Sequence, residues 1–119
     1  MKRLIIIGAG SFGREILEYA LAIVEAGKND WEIGGFLDDN RHALDDYDVK
    51  YPIVGGISDY QPKENDVFIS AFGEGKARVK FANIIRERGG EFVNIVHPTA
   101  TILHRVVLGV GCIIGQNTL

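Results

Sequence analysis

Six residues near the amino terminus, Gly8-Ala9-Gly10-Ser11-Phe12-Gly13, form a G-x-G-x-x-G run. The chemistry such a run can do is phosphate binding. Gly8 would allow a tight turn, Gly10 would let a ligand approach the backbone, and Gly13 would let a helix pack closely on a strand. The N–H groups and positive dipole of a helix starting here would face an anion, with the Ser11 hydroxyl as a further donor. The run carries this meaning only between a strand and a helix. The alternative is a plain strand-to-helix turn with no ligand.

Two other groups would meet the same ligand. Asp38-Asp39 could accept from ribose hydroxyls, although the 25-residue step from Gly13 to Asp38 is longer than the roughly 20 residues of the dinucleotide fingerprint. They could instead serve an exposed turn. Ser70-Ala71-Phe72-Gly73 follows the end of a predicted strand, where ligands of open α/β sheets sit, or is simply a compact connection. The remaining reactive side chains form no catalytic set. His42 lies in a polar stretch and reads as an exposed loop histidine. His97 precedes Pro98 and reads as structural. His104 has no acid nearby, and Cys112 reads as a small buried hydrophobe. No Ser-His-Asp or Cys-His arrangement and no metal-ligand spacing is present.

The elements that must hold these groups follow from periodicity. Lys2 to Ile7 reads as a buried strand, short and β-branched, ended by Gly8. Phe12, Ile16, Leu17, Ala20, Ile23 and Val24 recur at helical spacing and predict an amphipathic helix ending near Gly27. Trp31 to Leu37 reads as a second strand, and residues 41–50 as a polar loop or short helix. Tyr51 to Gly56 is extended, and Pro52 makes it an edge strand at best. Asp66 to Ala71 reads as another buried strand. Gly73 to Arg88 reads as a helix stopped by Gly89-Gly90, and Phe92 to Val96 as a last strand. Lys76, Arg78, Lys80, Arg86 and Arg88 are interleaved with apolar residues, which predicts a solvated helix face. Strands alternating with helices predict a parallel sheet with crossover helices.

Near residue 100 the pattern changes. Ile102, Leu108 and Ile114 recur every six residues, in the units Ile-Leu-His-Arg-Val-Val, Leu-Gly-Val-Gly-Cys-Ile and Ile-Gly-Gln-Asn-Thr-Leu. A hexapeptide period is the mark of a parallel β-helix. Three hexads make roughly one triangular coil, and repeat folds need several stacked units to bury their faces.

Composition bounds the classes. The chain has 119 residues, 46% hydrophobic and 24% charged, with a net charge of −3. That is a globular composition without the broad positive field of a nucleic-acid binder. One cysteine excludes an internal disulfide and fits a reducing compartment. The apolar run Leu4-Ile5-Ile6-Ile7 is far shorter than the roughly 20 residues that cross a bilayer. No signal peptide is visible. The expectation is a cytoplasmic protein with no nucleic-acid or membrane partner.

Taken together, Gly-Ala-Gly-Ser-Phe-Gly-Arg-Glu at 8–15, Gly-Phe-Leu-Asp-Asp-Asn at 35–40, Pro-Ile-Val-Gly at 52–55, Ser-Ala-Phe-Gly-Glu-Gly-Lys-Ala-Arg at 70–78, His-Pro-Thr-Ala-Thr-Ile at 97–102 and the hexads resemble one family. It is the bacterial sugar O- and N-acyltransferases, which include sialic acid O-acetyltransferases and N-acetyltransferases of UDP-linked 4-amino sugars. The resemblance covers essentially the whole chain. It implies an α/β fold: a Rossmann-like parallel-sheet domain over residues 1–96, followed by the start of a left-handed parallel β-helix, its first coil over residues 97–119. It implies that the first domain holds a UDP- or CMP-linked sugar through Gly8, Gly10, Ser11, Phe12, Gly13, Asp38 and Asp39; by their place after a strand's carboxyl end, Ala71, Phe72 and Gly73 would line the same pocket. Many relatives carry a histidine near the Phe12 position. The resemblance further implies a homotrimer built through the β-helix, with acetyl-CoA as co-substrate between neighbouring β-helices and a catalytic histidine in a later coil. The 119-residue chain is expected to bind substrate without holding acetyl-CoA or catalysing transfer. Two other classes account for part of the pattern. An NAD-dependent oxidoreductase fragment explains the glycine run and the acids but not the hexads. A non-catalytic binding or assembly module would pair through the coil.

Overall fold

A computed structural model describes residues 1–96 and the strand Ile113–Ile114. His97, His104, Cys112 and most of the hexads lie outside the described residues. The elements are β1 (Lys2–Ile7), α1 (Ser11–Glu25), β2 (Trp31–Leu37), β3 (Ile53–Gly55), β4 (Asp66–Ser70), α2 (Gly75–Glu87), β5 (Glu91–Phe92), β6 (Ile95–Val96) and β7 (Ile113–Ile114). Five of them form one sheet in the order β3-β2-β1-β4-β5, and every pairing in it is parallel. This is the doubly wound order. The chain moves outward to one side of β1 and then to the other, which puts the topological switch point of the sheet between β1 and β4. Residues 41–50 form turns rather than a helix.

Alternation along β1 explains why both faces must be covered. Leu4 and Ile6 pack on one face with Ile16, Leu17, Ala20 and Ile23 of α1. Ile5 and Ile7 pack on the other with Phe68, Ala82 and Ile85, the last two from α2. Successive strand residues point to opposite faces, so a strand apolar at every position is stable only between two layers. All five residues of β4 are buried, and Val67, Phe68 and Ile69 for the same reason. Pro52 precedes β3, and β3 is the sheet edge, because a residue without an N–H cannot sit in an interior ladder.

The single last strand expected over 92–96 is two pieces. Val93 N–H donates to the Phe68 carbonyl at 3.0 Å and closes the ladder on β4. The next residues leave the sheet, and Ile95–Val96 pair in parallel with Ile113–Ile114. Ile95 is fully buried in the α1-side core. The β4–β5 ladder is only two residues long. The solvated basic face expected on α2 is also modified. Arg88 donates to the carbonyls of Ile57, Ser58 and Tyr60 at 2.8, 2.6 and 3.1 Å, and Arg86 lies 4.6 Å over the Phe92 ring. These arginines fasten the β3–β4 connection and the sheet edge.

At the amino end of the sheet, Asp66 is buried. Its carboxylate accepts from Arg3 Nε at 3.1 Å, from the Tyr60 hydroxyl and from the Lys63 N–H at 3.0 Å. Arg3 also donates to Tyr60 Oη at 3.0 Å. Burial, and then the bond to Asp66, push the Tyr60 phenol up to about 12. The folded state therefore holds this proton more tightly than the unfolded chain, whose tyrosines titrate near 10. The contribution to stability is complete below pH ~10 and is lost as pH rises toward about 12. Denaturant titrations should show the wild type losing up to roughly 1.4 kcal/mol more per pH unit across that window than Tyr60→Phe. Equal slopes would refute the shift.

Candidate functional site

The glycine run occupies the turn from β1 into α1, at the carboxyl edge of the sheet. Three backbone bonds tie the strand ends together there: Gly8 N–H to the Leu37 carbonyl at 2.7 Å, Ala71 N–H to the Ile7 carbonyl at 2.8 Å, and Asp38 N–H to the Gly55 carbonyl at 3.0 Å. Gly8 has φ +103°, a conformation that side chains rarely adopt. A Cβ on it would also meet the Phe72 ring at 3.1 Å and the Ala71 carbonyl oxygen at 3.2 Å. A Cβ on Gly13 would fall 2.0 Å from the Gly8 carbonyl oxygen, so α1 sits directly against the turn. Gly10 is different. A Cβ there would touch nothing within 4 Å, which leaves its face open to a ligand.

The two helix starts contrast electrostatically. Helix α1 begins after Gly10 with no side-chain cap and no acid in its first turn. Its first N–H groups and the positive end of its dipole are left to the surroundings. Helix α2 is closed by its own anion, because the Glu74 carboxylate accepts from Lys76 N–H at 2.9 Å and Ala77 N–H at 2.7 Å. Those bonds, the one from Lys76 first, hold the Glu74 carboxyl below its usual range. Of the two, the α1 start is the one whose N–H groups no side chain occupies.

The structure brings Gly8, Gly13, Asp38, Ala71 and Phe72 around one turn and leaves Gly10 and Ser11 open beside it. Asp38 Oδ2 accepts from the Ala9 N–H at 2.9 Å, and its Oδ1 from the Asn40 N–H at 2.9 Å. Asp39 turns the other way, and its Oδ1 accepts from the Ser58 N–H at 3.1 Å and hydroxyl at 3.0 Å. The Ser58 backbone bond is the chief reason that its carboxyl lies below the usual range. Phe12 packs against the α1-side core, Phe72 stacks on Phe81 at 4.6 Å, and Gly73 is exposed. Ser70 turns toward α2, where its hydroxyl donates to the Arg78 carbonyl. His42 is exposed, as expected, and its Nδ1 pairs with Asp45 at 2.8 Å. Sequence reasoning missed Ser58 and Glu74. An acid three residues ahead of Ala77 was a usable capping signal, whereas nothing local marked Ser58 as the partner of Asp39. Among the described residues no group of three or more His, Cys, Asp or Glu gathers to hold a metal ion.

A parallel sheet wound outward from β1, with an uncapped helix behind a glycine turn at its switch point, defines a Rossmann-like domain. The chain belongs to the PglD N-terminal domain family, which matches residues 3–85. No curated protein matches it. Among solved structures, the acetyltransferase domain of PglB from Neisseria gonorrhoeae FA1090, in complex with acetyl coenzyme A, is similar. It is 26% identical with a TM-score of 0.75, over 97% of this chain and 53% of that one. PerB from Caulobacter crescentus, in complex with CoA and GDP-perosamine, shares the fold at 22% identity and a TM-score of 0.76, over 98% of this chain and 52% of that one. The chain spans about half the length of these structures.

Proposed function

We propose that this chain is the nucleotide-sugar-holding N-terminal part of an acetyl-CoA-dependent sugar acetyltransferase of surface polysaccharide or glycan synthesis. The observation that carries the reading is the uncapped start of α1 at the sheet's switch point. Family membership supports it, as does the gonococcal domain that binds acetyl coenzyme A. In this reading the α1 N–H groups take the phosphate or diphosphate of the nucleotide, and Gly10 lets it approach. Ala71, Phe72 and Gly73 wall the other side. The ligand is a UDP- or CMP-linked sugar, and the GDP-perosamine bound by the Caulobacter protein adds guanine to the bases worth testing. In the whole protein the sugar's amino or hydroxyl group attacks the thioester carbonyl of acetyl-CoA, a general base takes its proton, and the CoA thiol leaves.

The second half of the reading is the β-helix. Ile95–Val96 pair with Ile113–Ile114 at an offset of 18 residues, which equals three hexads. That register supports a first coil of a left-handed β-helix over 97–119, with Ile95–Val96 as its opening rung, and a homotrimer formed through it. A cytoplasmic setting belongs to the same reading. Among the described residues no helix is long and apolar enough to cross a membrane.

Calorimetric titration of the chain with UDP, CMP, GDP and NADH tests this reading. One of the three nucleotides is expected to bind, and NADH is not. NADH binding alone would favour an oxidoreductase fragment, and binding of none would leave an assembly module.

A further inference from the structure

The acid at the end of a second strand in such a fold is ordinarily read as a ribose ligand. Here Asp38 is already engaged. One carboxylate oxygen accepts from the Ala9 N–H inside the glycine run, and the other from the Asn40 N–H just beyond the strand. The bond to Ala9 spans 29 residues of sequence. It joins the β1–α1 turn to the end of β2, beside the Gly8-to-Leu37 backbone bond. A carboxylate on a backbone N–H is among the stronger hydrogen bonds a protein makes. It also removes one donor from the glycine run. With the Ala9 N–H spent, the donors left to an anion are the N–H groups of the α1 start, at Gly10, Ser11, Phe12 and Gly13, where no side chain caps the helix.

We propose that Asp38 is a positioning residue. It sets the glycine turn through Ala9, so that the nucleotide's phosphate seats on the N–H groups of Gly10, Ser11, Phe12 and Gly13, and it does not act chiefly by gripping the ribose. The proposal rests on the nucleotide reading above.

Two measurements test it. The first needs no ligand: amide hydrogen exchange at Ala9, followed by NMR in the wild type, Asp38→Ala and Asp38→Asn. Asp38→Ala should speed Ala9 exchange at least about tenfold relative to core amides. Asp38→Asn keeps one acceptor and should lie between. Unchanged exchange at Ala9 in both variants would overturn the anchor. The second is a cycle of protein and ligand deletions with UDP and 2′,3′-dideoxy-UDP, or the corresponding pair of GDP or CMP if that nucleotide binds more tightly. A positioning residue predicts that Asp38→Ala weakens both ligands by the same factor, about tenfold. A ribose ligand predicts that the loss vanishes with the dideoxy compound, and that result would overturn the proposal. If the wild type binds none of UDP, CMP and GDP, the nucleotide reading fails and the role assigned to Asp38 at that site falls with it. The Ala9 exchange would still report separately whether the anchor exists.

Discussion

Gly13→Ala will unfold this domain more readily than any other single methyl group added to its glycine turn. The added Cβ would lie 2.0 Å from the Gly8 carbonyl oxygen and 2.9 Å from its carbon. Both obstacles are backbone, so no side chain can swing aside. Overpacking of this kind costs typically about 1–3 kcal/mol, and a contact with fixed backbone belongs at the upper end. Alanine gains at most about 1 kcal/mol over glycine inside a helix. The clash therefore wins, and the net loss is about 2 kcal/mol, a fall in melting temperature of roughly 8–16 °C for a domain of this size. To relieve the contact α1 must move off the turn, which displaces its N–H groups, so nucleotide affinity should fall with stability. Gly10→Ala is the control. Its Cβ meets nothing within 4 Å, and its cost as a cap is below about 1 kcal/mol, yet the methyl group stands where a ligand would approach. Urea titrations and nucleotide binding on both variants should separate the effects: Gly13→Ala loses stability and binding, Gly10→Ala loses binding alone. A Gly13→Ala variant as stable as the wild type would refute the close packing.

Asp66→Ala will be the other large loss. The buried carboxylate accepts from Arg3, Tyr60 and Lys63, and its removal strands their donors. Breaking a buried ion pair from one side costs about 3–5 kcal/mol. The Arg3 side chain keeps 31% exposure and can rehydrate, which places the expected cost near the lower bound, about 3 kcal/mol. Asp66→Asn retains an acceptor and should lose about half as much. Nucleotide binding should be unaffected in whatever fraction remains folded, because this cluster lies at the end of the sheet opposite the glycine turn. A loss under about 1 kcal/mol in Asp66→Ala would mean that water replaces the carboxylate without penalty.

Much of this was legible in order. Leu4 to Ile7 could only be a strand buried on both faces, and Gly27 and Gly89-Gly90 marked helix ends that fall within two residues of the observed ones. The glycine run announced a turn between strand and helix. The split between Phe92 and Ile95 was not legible, since five residues of strand-like sequence carry no sign of which neighbour will take them. The arginines of α2 were read as a solvated face because charge at helical spacing looks the same whether it meets water or a carbonyl. Arg88 meets three carbonyls of a connection about 30 residues away.

What the sequence determined by itself is whatever depends on near neighbours: periodicity, the glycine turn, the helix stops, the hexad period, and the pairing of strands with helices that makes a parallel sheet. What only the tertiary structure decided is where each carboxylate spends its charge. Asp38 and Asp39 are adjacent in sequence and look interchangeable, yet one holds Ala9 and the other Ser58. Their partners lie 29 and 19 residues away in opposite directions. The choice follows from which N–H groups the folded sheet brings within about 3 Å of each side chain, and a hydrogen bond falls off too steeply with distance and angle for spacing along the chain to reveal it.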